Sequence, residues 1–180
     1  KLGAGLDRAG FSSVDAPEDA DLVVLNTCSV REHAEGRAIG QLGRLKKMRS
    51  KGKDFKIAVM GCMVGMRDDD LRRRFPYVDA FARPQDFSPI MELAGVDDSG
   101  GEFWPGTFAE PDSVTAFVPV IHGCDKFCTY CIVPYRRGRE KSRTIEDIRS
   151  EVEHYCARGV KEVTLLGQTV EAYGRDLGVG

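Results

Sequence analysis

Lys56-Ile57-Ala58-Val59-Met60-Gly61-Cys62 is the stretch that decides the fold. Lys56 to Met60 is a short apolar, β-branched run between turn residues, the pattern of a buried strand. Upstream, Ala20-Asp21-Leu22-Val23-Val24-Leu25-Asn26 has the same character, and Cys28 follows it as Cys62 follows the other. Between the two runs, from about Arg31 to Ser50, Ala34, Ala38, Leu42 and Leu45 recur on one helical face. Lys1 to Gly10 reads as a helix with Gly10 as its C-cap. Downstream, Asp68 to Phe75 reads as a short helix ahead of Pro76. Val78-Asp79-Ala80-Phe81 is a third strand, and Phe87 to Leu93 another helix. This βαβαβ alternation predicts an α/β fold, a parallel sheet covered by helices, over residues 1–95.

Residues 96–115 break the pattern. They are rich in Gly, Asp, Pro and Ser and read as a linker, in which Trp104 and Phe108 are candidate anchors between domains. A second unit, 116–180, opens with the apolar strand Ala116 to Ile121. A cysteine loop, a helix from about Thr144 to Arg158 and a strand from Glu162 to Gly167 follow. One β-α-β unit does not cover both faces of its own sheet, so this domain reads as the incomplete beginning of a larger one.

The composition sets outer bounds. The chain has 180 residues, 42% hydrophobic and 30% charged, with a net charge of −2. These values exclude bulk disorder and a globally basic nucleic-acid coat, though not a local basic patch. No apolar run reaches the roughly 20 residues of a membrane span, and no secretory signal opens the chain. Six cysteines, Cys28, Cys62, Cys124, Cys128, Cys131 and Cys156, sit in what reads as a cytosolic α/β protein. Clustered cysteines in that setting read as metal or cofactor ligands rather than a disulfide framework.

Cys124-x-x-x-Cys128-x-x-Cys131 carries the chemistry. A structural zinc site takes four ligands, often as two distant Cys-x-x-Cys pairs. Three thiolates on one loop suit three irons of a [4Fe–4S] cube, leaving the fourth iron open to a small amine- and carboxylate-bearing molecule. Gly123 permits the tight backbone path such a loop needs. A zinc knuckle with a fourth ligand elsewhere, such as His122, is the alternative.

Cys-x-x-x-Cys-x-aromatic-Cys after the first strand of a β/α unit resembles the radical S-adenosylmethionine (SAM) superfamily. The longer run Gly123 to Tyr135, with Arg137-Gly138-Arg139-Glu140-Lys141-Ser142-Arg143, is similar to the methylthiotransferases. So are Leu25-Asn26-Thr27-Cys28-Ser29-Val30-Arg31-Glu32 and Gly61-Cys62-Met63. Within that family, Leu165-Leu166-Gly167-Gln168-x-Val170-x-x-Tyr173-Gly174 resembles the tRNA-modifying MiaB branch more than the branch acting on a ribosomal protein.

The resemblance implies an N-terminal methylthiotransferase domain followed by the start of a radical SAM partial TIM barrel. It implies two [4Fe–4S] clusters and SAM as cofactors. Cys124, Cys128 and Cys131 would hold the SAM-binding cluster. Cys28 and Cys62 would hold an auxiliary cluster whose third ligand is expected before Lys1. On local sequence alone, these two read as core thiols at strand ends, the edge where open α/β sheets place ligand sites. Tyr130, Arg143, Gly167 and Gln168 are the implied cofactor-binding residues. The implied reaction inserts sulfur and a methyl group at adenine C2 of a dimethylallyl-adenosine beside the tRNA anticodon. One SAM methylates sulfur and a second supplies the radical. No acid–base pair is assigned, and the electron donor and sulfur source stay unidentified. The expected setting is cytoplasmic, with tRNA as partner and no membrane. The fragment alone is expected not to turn over tRNA.

Two other functions compete: a methylthiotransferase acting on a ribosomal protein or another tRNA adenosine, and a zinc-stabilised RNA-binding module without catalysis. Arg136 to Arg143 is either an anion-binding segment or a solvated loop. Arg44, Lys46, Lys47, Arg49, Lys51 and Lys53 form a basic helix end that suits the helix dipole and could contact tRNA. Arg72-Arg73-Arg74 reads as a surface face, and Cys156, one turn from Val152, as a core thiol.

Overall fold

The computed structural model describes residues 2–28, 32–65, 69–84, 86–96, 111 and 113–178. Ser29 to Arg31 of the first cysteine motif, Asp68, and most of the expected linker with Trp104 and Phe108 lie outside them. The elements in order are α1 (Leu2–Arg8), β1 (Leu22–Thr27), α2 (Glu32–Ser50), β2 (Lys56–Gly61), α3 (Asp69–Arg74) and β3 (Ala80–Ala82). After these come α4 (Ser88–Ala94), β4 (Thr115–Pro119), β5 (Ile121–His122), α5 (Val133–Arg137), β6 (Lys141–Ser142), α6 (Ile145–Ala157) and β7 (Glu162–Leu166). The chain divides into two compact units, Ala9–Glu102 and a second that joins Lys1–Arg8 to Phe103–Gly180. The βαβαβ pattern of the sequence groups α1 with residues 1–95, whereas its contacts place it in the second unit.

The first unit is the parallel three-stranded sheet β1-β2-β3. β2 is central, pairing from Leu22↔Lys56 to Thr27↔Gly61 on one side and from Ala58↔Ala80 to Met60↔Ala82 on the other. Centrality explains why Ile57 to Met60 are all buried and the run is uninterruptedly apolar. Leu42 and Leu45 of α2 pack on Ile57, Val59, Phe75 and Phe81, with Ala38 at the margin. This is the helical face legible in the sequence.

Arg49, at the end of α2, donates to the carbonyls of Tyr77 (2.9 Å) and Phe55 (2.5 Å) and pairs with Asp79 (2.5 Å). Asp79 also accepts from the Ile57 amide at 2.7 Å. Burial alone would raise the Asp79 pKa, but these partners outweigh it and hold the carboxyl below its ordinary range. Much of the basic helix end is therefore engaged within its own unit. Arg44 pairs with Glu18, Lys53 reaches the Glu18 carbonyl, and Lys46 lies over the Tyr77 ring. Arg73 pairs with Asp70, while Arg72 and Arg74 lie over Phe81 and Phe75, so this triplet lies along the unit's own surface.

In the second unit, β4 and β7 pair in parallel from Thr115↔Glu162 to Pro119↔Leu166, and α6 is the crossover. Thr144 caps α6 by accepting the Asp147 amide at 3.2 Å. Ala116, Val118, Val120 and Ile121 pack with Tyr155, Val160 and Ala172. The expected strand Ala116 to Ile121 is in fact two. At Pro119 the β4 ladder ends, and Ile121–His122 turns into an antiparallel pair with Lys141–Ser142. Cys156 is exposed, not a core thiol. The stripe of α6 that faces the sheet runs through Ile148, Glu151, Val152 and Tyr155, and Cys156 lies 100° beyond Tyr155.

Candidate metal centre

The cysteine loop leaves β5 through Gly123, whose φ of +69° is left-handed. A Cβ there would lie 2.0 Å from the Arg139 carbonyl oxygen, so only glycine lets the two backbones pass. The Cys124 amide donates to the Gly138 carbonyl at 3.2 Å. Asp125 and Glu140 exchange bonds: the Asp125 amide donates to Glu140 Oε1 and the Glu140 amide to Asp125 Oδ1, both at 3.1 Å. Arg139 pairs with Asp125 at 2.8 Å and its guanidinium lies over the Phe127 ring. Phe127 has a positive φ (+44°), and its ring meets Tyr135 of α5 edge-on. The segment after the cysteines, read from sequence as a choice between anion site and solvated loop, thus forms the back wall of the loop.

The turn after β7 forms the other wall. Lys126 pairs with Glu171 at 2.7 Å, and each holds the other charged: Lys126 is pushed above its ordinary pKa and Glu171 below. Gly167 sits where a Cβ would be 2.4 Å from Ile121 Cγ2, so the strand end passes directly against β5. Gln168 is exposed beside it, and Thr169 is buried with its hydroxyl 3.3 Å from Cys124 Sγ. Asp176 accepts the Ser142 amide at 2.8 Å, and Ser142 Oγ accepts the Gly174 amide at 3.0 Å. Burial would raise the Asp176 pKa, yet its hydrogen bonds with Ser142 bring it below the ordinary value.

All six cysteines are free thiols. Cys124 is buried, while Cys128 and Cys131 are half-buried and joined by a turn in which the Cys131 amide donates to the Cys128 carbonyl at 3.0 Å. Among the described residues, no three His, Cys, Asp or Glu side chains gather at metal-binding distances. The donor set nevertheless fits an iron–sulfur cube by its chemistry. Three unoxidised thiols share one loop, its entry is a glycine turned tightly against the Arg139 backbone, and two of the three cysteines are only half-buried. Tyr130, between them, is 90% exposed. His122 is half-buried on β5.

Arg143, one of the residues that the resemblance implies bind the cofactor, is held inside the second unit. It is 3% exposed, paired with buried Glu151 at 2.5 Å, and donates to the Pro119 carbonyl at 2.8 Å. Its own carbonyl accepts the Tyr173 hydroxyl at 3.0 Å. The guanidinium thus ties β4 to α6 from within the core. Glu151 also accepts the Tyr155 hydroxyl, and burial together with the Glu151 charge pushes that phenol up to about 12.

Cys28 and Cys62 each follow directly on the end of a strand: β1 ends at Thr27 and β2 at Gly61, the last pair of their parallel register. Thr27 Oγ1 donates to the Met60 carbonyl (2.6 Å) and accepts the Met63 amide (3.2 Å), while the Thr27 carbonyl accepts the Cys62 amide (3.0 Å). Gly61, φ +97°, lets the strand end lie against Thr27: a Cβ would be 2.3 Å from the Thr27 oxygen. Cys62 is buried and Cys28 half-buried.

Thr169, the Lys126–Glu171 tie and the Asp125–Glu140 exchange were not singled out from the sequence. They pair residues far apart in the chain, and no periodicity signals them.

Two family profiles match the chain. Residues 1–82 match the uncharacterized protein family UPF0004, and residues 118–177 the Radical SAM superfamily. Similar curated proteins share the name tRNA-2-methylthio-N(6)-dimethylallyladenosine synthase. The one from Dictyoglomus thermophilum is 40% identical over 99% of this chain and 43% of its own length. One from Dehalococcoides mccartyi is 44% identical over 98% of the chain and 40% of its length. That of Photobacterium profundum is 42% identical over 91% and 37%. The chain thus spans about two fifths of the length of these relatives.

Proposed function

We propose, from the premise that the chain belongs to the radical SAM methylthiotransferase family, that it is part of a tRNA methylthiotransferase. The substrate would be a dimethylallyl-adenosine of tRNA, the base named for its relatives. The carrying observation is the loop from Gly123 to Cys131, which presents three free thiols at the C-terminal end of the β4–β5 segment. Strand C-termini are where barrel enzymes place their chemistry.

Cys124, Cys128 and Cys131 would hold a [4Fe–4S] cluster, and Cys28 with Cys62 would contribute to an auxiliary one. When bound, the cluster and SAM supply one-electron cleavage chemistry that no protein side chain offers. The chain's own residues bind and shield. Gly123 and the Asp125–Glu140 exchange set the loop's entry, and Gly167 brings the next strand end against it. Exposed Tyr130 and Gln168 would meet the cofactor. Arg143 supports this edge from inside by holding the Pro119 carbonyl. No helix among the described residues is long and apolar enough to cross a membrane.

Electron paramagnetic resonance of the anaerobically reconstituted protein, recorded with and without SAM, tests the reading. A reduced-cluster signal that SAM perturbs is the expected result. Zinc uptake in place of iron, with no response to SAM, would leave the zinc-stabilised RNA-binding module in front.

A further inference from the structure

We infer that Thr169 is a positioning residue for the cluster loop, donating its hydroxyl to the sulfur of Cys124 and thereby setting the cluster's reduction potential. The inference rests on the proposed cluster at Cys124, Cys128 and Cys131.

Thr169 is 4% exposed, and a hydroxyl buried that deeply needs a partner. Its position invites a local one. Thr169 precedes the 3-10 turn Val170–Ala172, and its carbonyl accepts the Ala172 amide at 3.0 Å. Threonine at such a place commonly bonds its own turn with its side chain. Here the side chain makes no capping bond, and Oγ1 lies instead 3.3 Å from Cys124 Sγ, also buried. The turn is held in that position from both ends. Gly167 passes against Ile121, and Glu171 pairs with Lys126 inside the cysteine loop.

The direction of the bond follows from chemistry. A thiol can donate weakly to a hydroxyl, but a metal-bound thiolate has no proton, so with a cluster present only the Thr169 O–H can donate. A donor on a ligating sulfur draws charge from the cluster and favours its reduced, more negative state. Cys128 and Cys131 lie nearer solvent. Cys124 is therefore the ligand through which the protein interior reaches the cluster.

The test compares wild-type protein with Thr169→Val, which keeps the shape and removes the donor, and Thr169→Ser, which restores it. Each is loaded anaerobically with ferrous iron and sulfide. Iron content, thermal unfolding and the midpoint potential of the cluster are then measured. The expected result is equal iron content, a more negative potential for Thr169→Val, and a near-wild-type potential for Thr169→Ser. Thr169→Ala stands in if the valine variant does not fold. A loaded Thr169→Val protein at the wild-type potential overturns this inference alone, as does a serine variant shifted as far as the valine one. A wild-type protein that takes up no iron overturns the cluster reading and this inference with it.

Discussion

The two cysteine-bearing strand ends differ in what stands behind them. Cys62 follows a central strand buried on both faces, and Thr27 fixes it: the Thr27 carbonyl accepts the Cys62 amide while the Thr27 hydroxyl bridges Met60 and Met63. The Cys124 loop hangs from a two-stranded sheet that leaves Phe117 65% and Leu165 50% exposed. What holds that loop is a set of side-chain ties, Asp125–Glu140, Arg139–Asp125 and Lys126–Glu171, with a glycine cradle at its entry. At the first end, substitutions should act on global stability. At the second they should act on what the loop can bind.

The largest expected effect tests whether the second unit has a core of its own. Glu151→Ala leaves Arg143 charged and buried without its partner, at a cost of about 3–5 kcal/mol. Amide exchange should then lose its protection in residues 115–166 and keep it in 22–61. Equal loss in both stretches would erase the contrast.

Next come the two strained glycines. Gly61→Ala and Gly123→Ala each force an L residue to positive φ against a carbonyl, roughly 1–3 kcal/mol of strain before the collision is counted. Gly61→Ala should lower the urea midpoint of the first unit. Gly123→Ala should chiefly abolish iron uptake. A Gly123→Ala protein that loads iron normally would show that the cradle is dispensable.

The pH response is smaller. Because the Asp79 pKa is depressed, its contribution is present above the unfolded carboxylate value, about 4, and is lost as pH falls through the depressed one. Asp79→Asn should lower stability at neutral pH by about 1–3 kcal/mol, since hydrogen bonds to a charged group are lost. It should also flatten the acid limb of the unfolding curve. The least effect falls on Lys126→Ala, which breaks an exposed pair. Unfolding should not register it, and any loss should appear in cluster loading at low salt.

β2 was legible because burial on both faces demands an unbroken apolar run; β1 and β7, less buried, still carry β-branched apolar runs, and all three differ from their expected spans only at the ends. The three-thiol loop and its glycine were legible because metal ligation and positive φ each restrict residue type. What stayed hidden depends on contacts across the chain. The Arg143–Glu151 pair joins the cysteine-loop strand to the crossover helix, and no spacing in the sequence announces it. Arg49 was one cation among several until Asp79 and two carbonyls claimed it. Cys156 is exposed because the inward stripe of α6 ends at Tyr155, one residue short of it. Helix α5 and the β5–β6 pair are too short to leave a periodic trace.

The most direct test of the contrast is iron and sulfide content after anaerobic reconstitution of the wild type, a Cys124, Cys128 and Cys131 triple alanine variant, and a Cys28 and Cys62 double alanine variant. The account predicts that the triple variant loses about four irons, one [4Fe–4S] cluster, together with the SAM-sensitive signal, and that the double variant keeps both. A triple variant that retains that iron and signal, or a wild type that takes zinc instead, would contradict it.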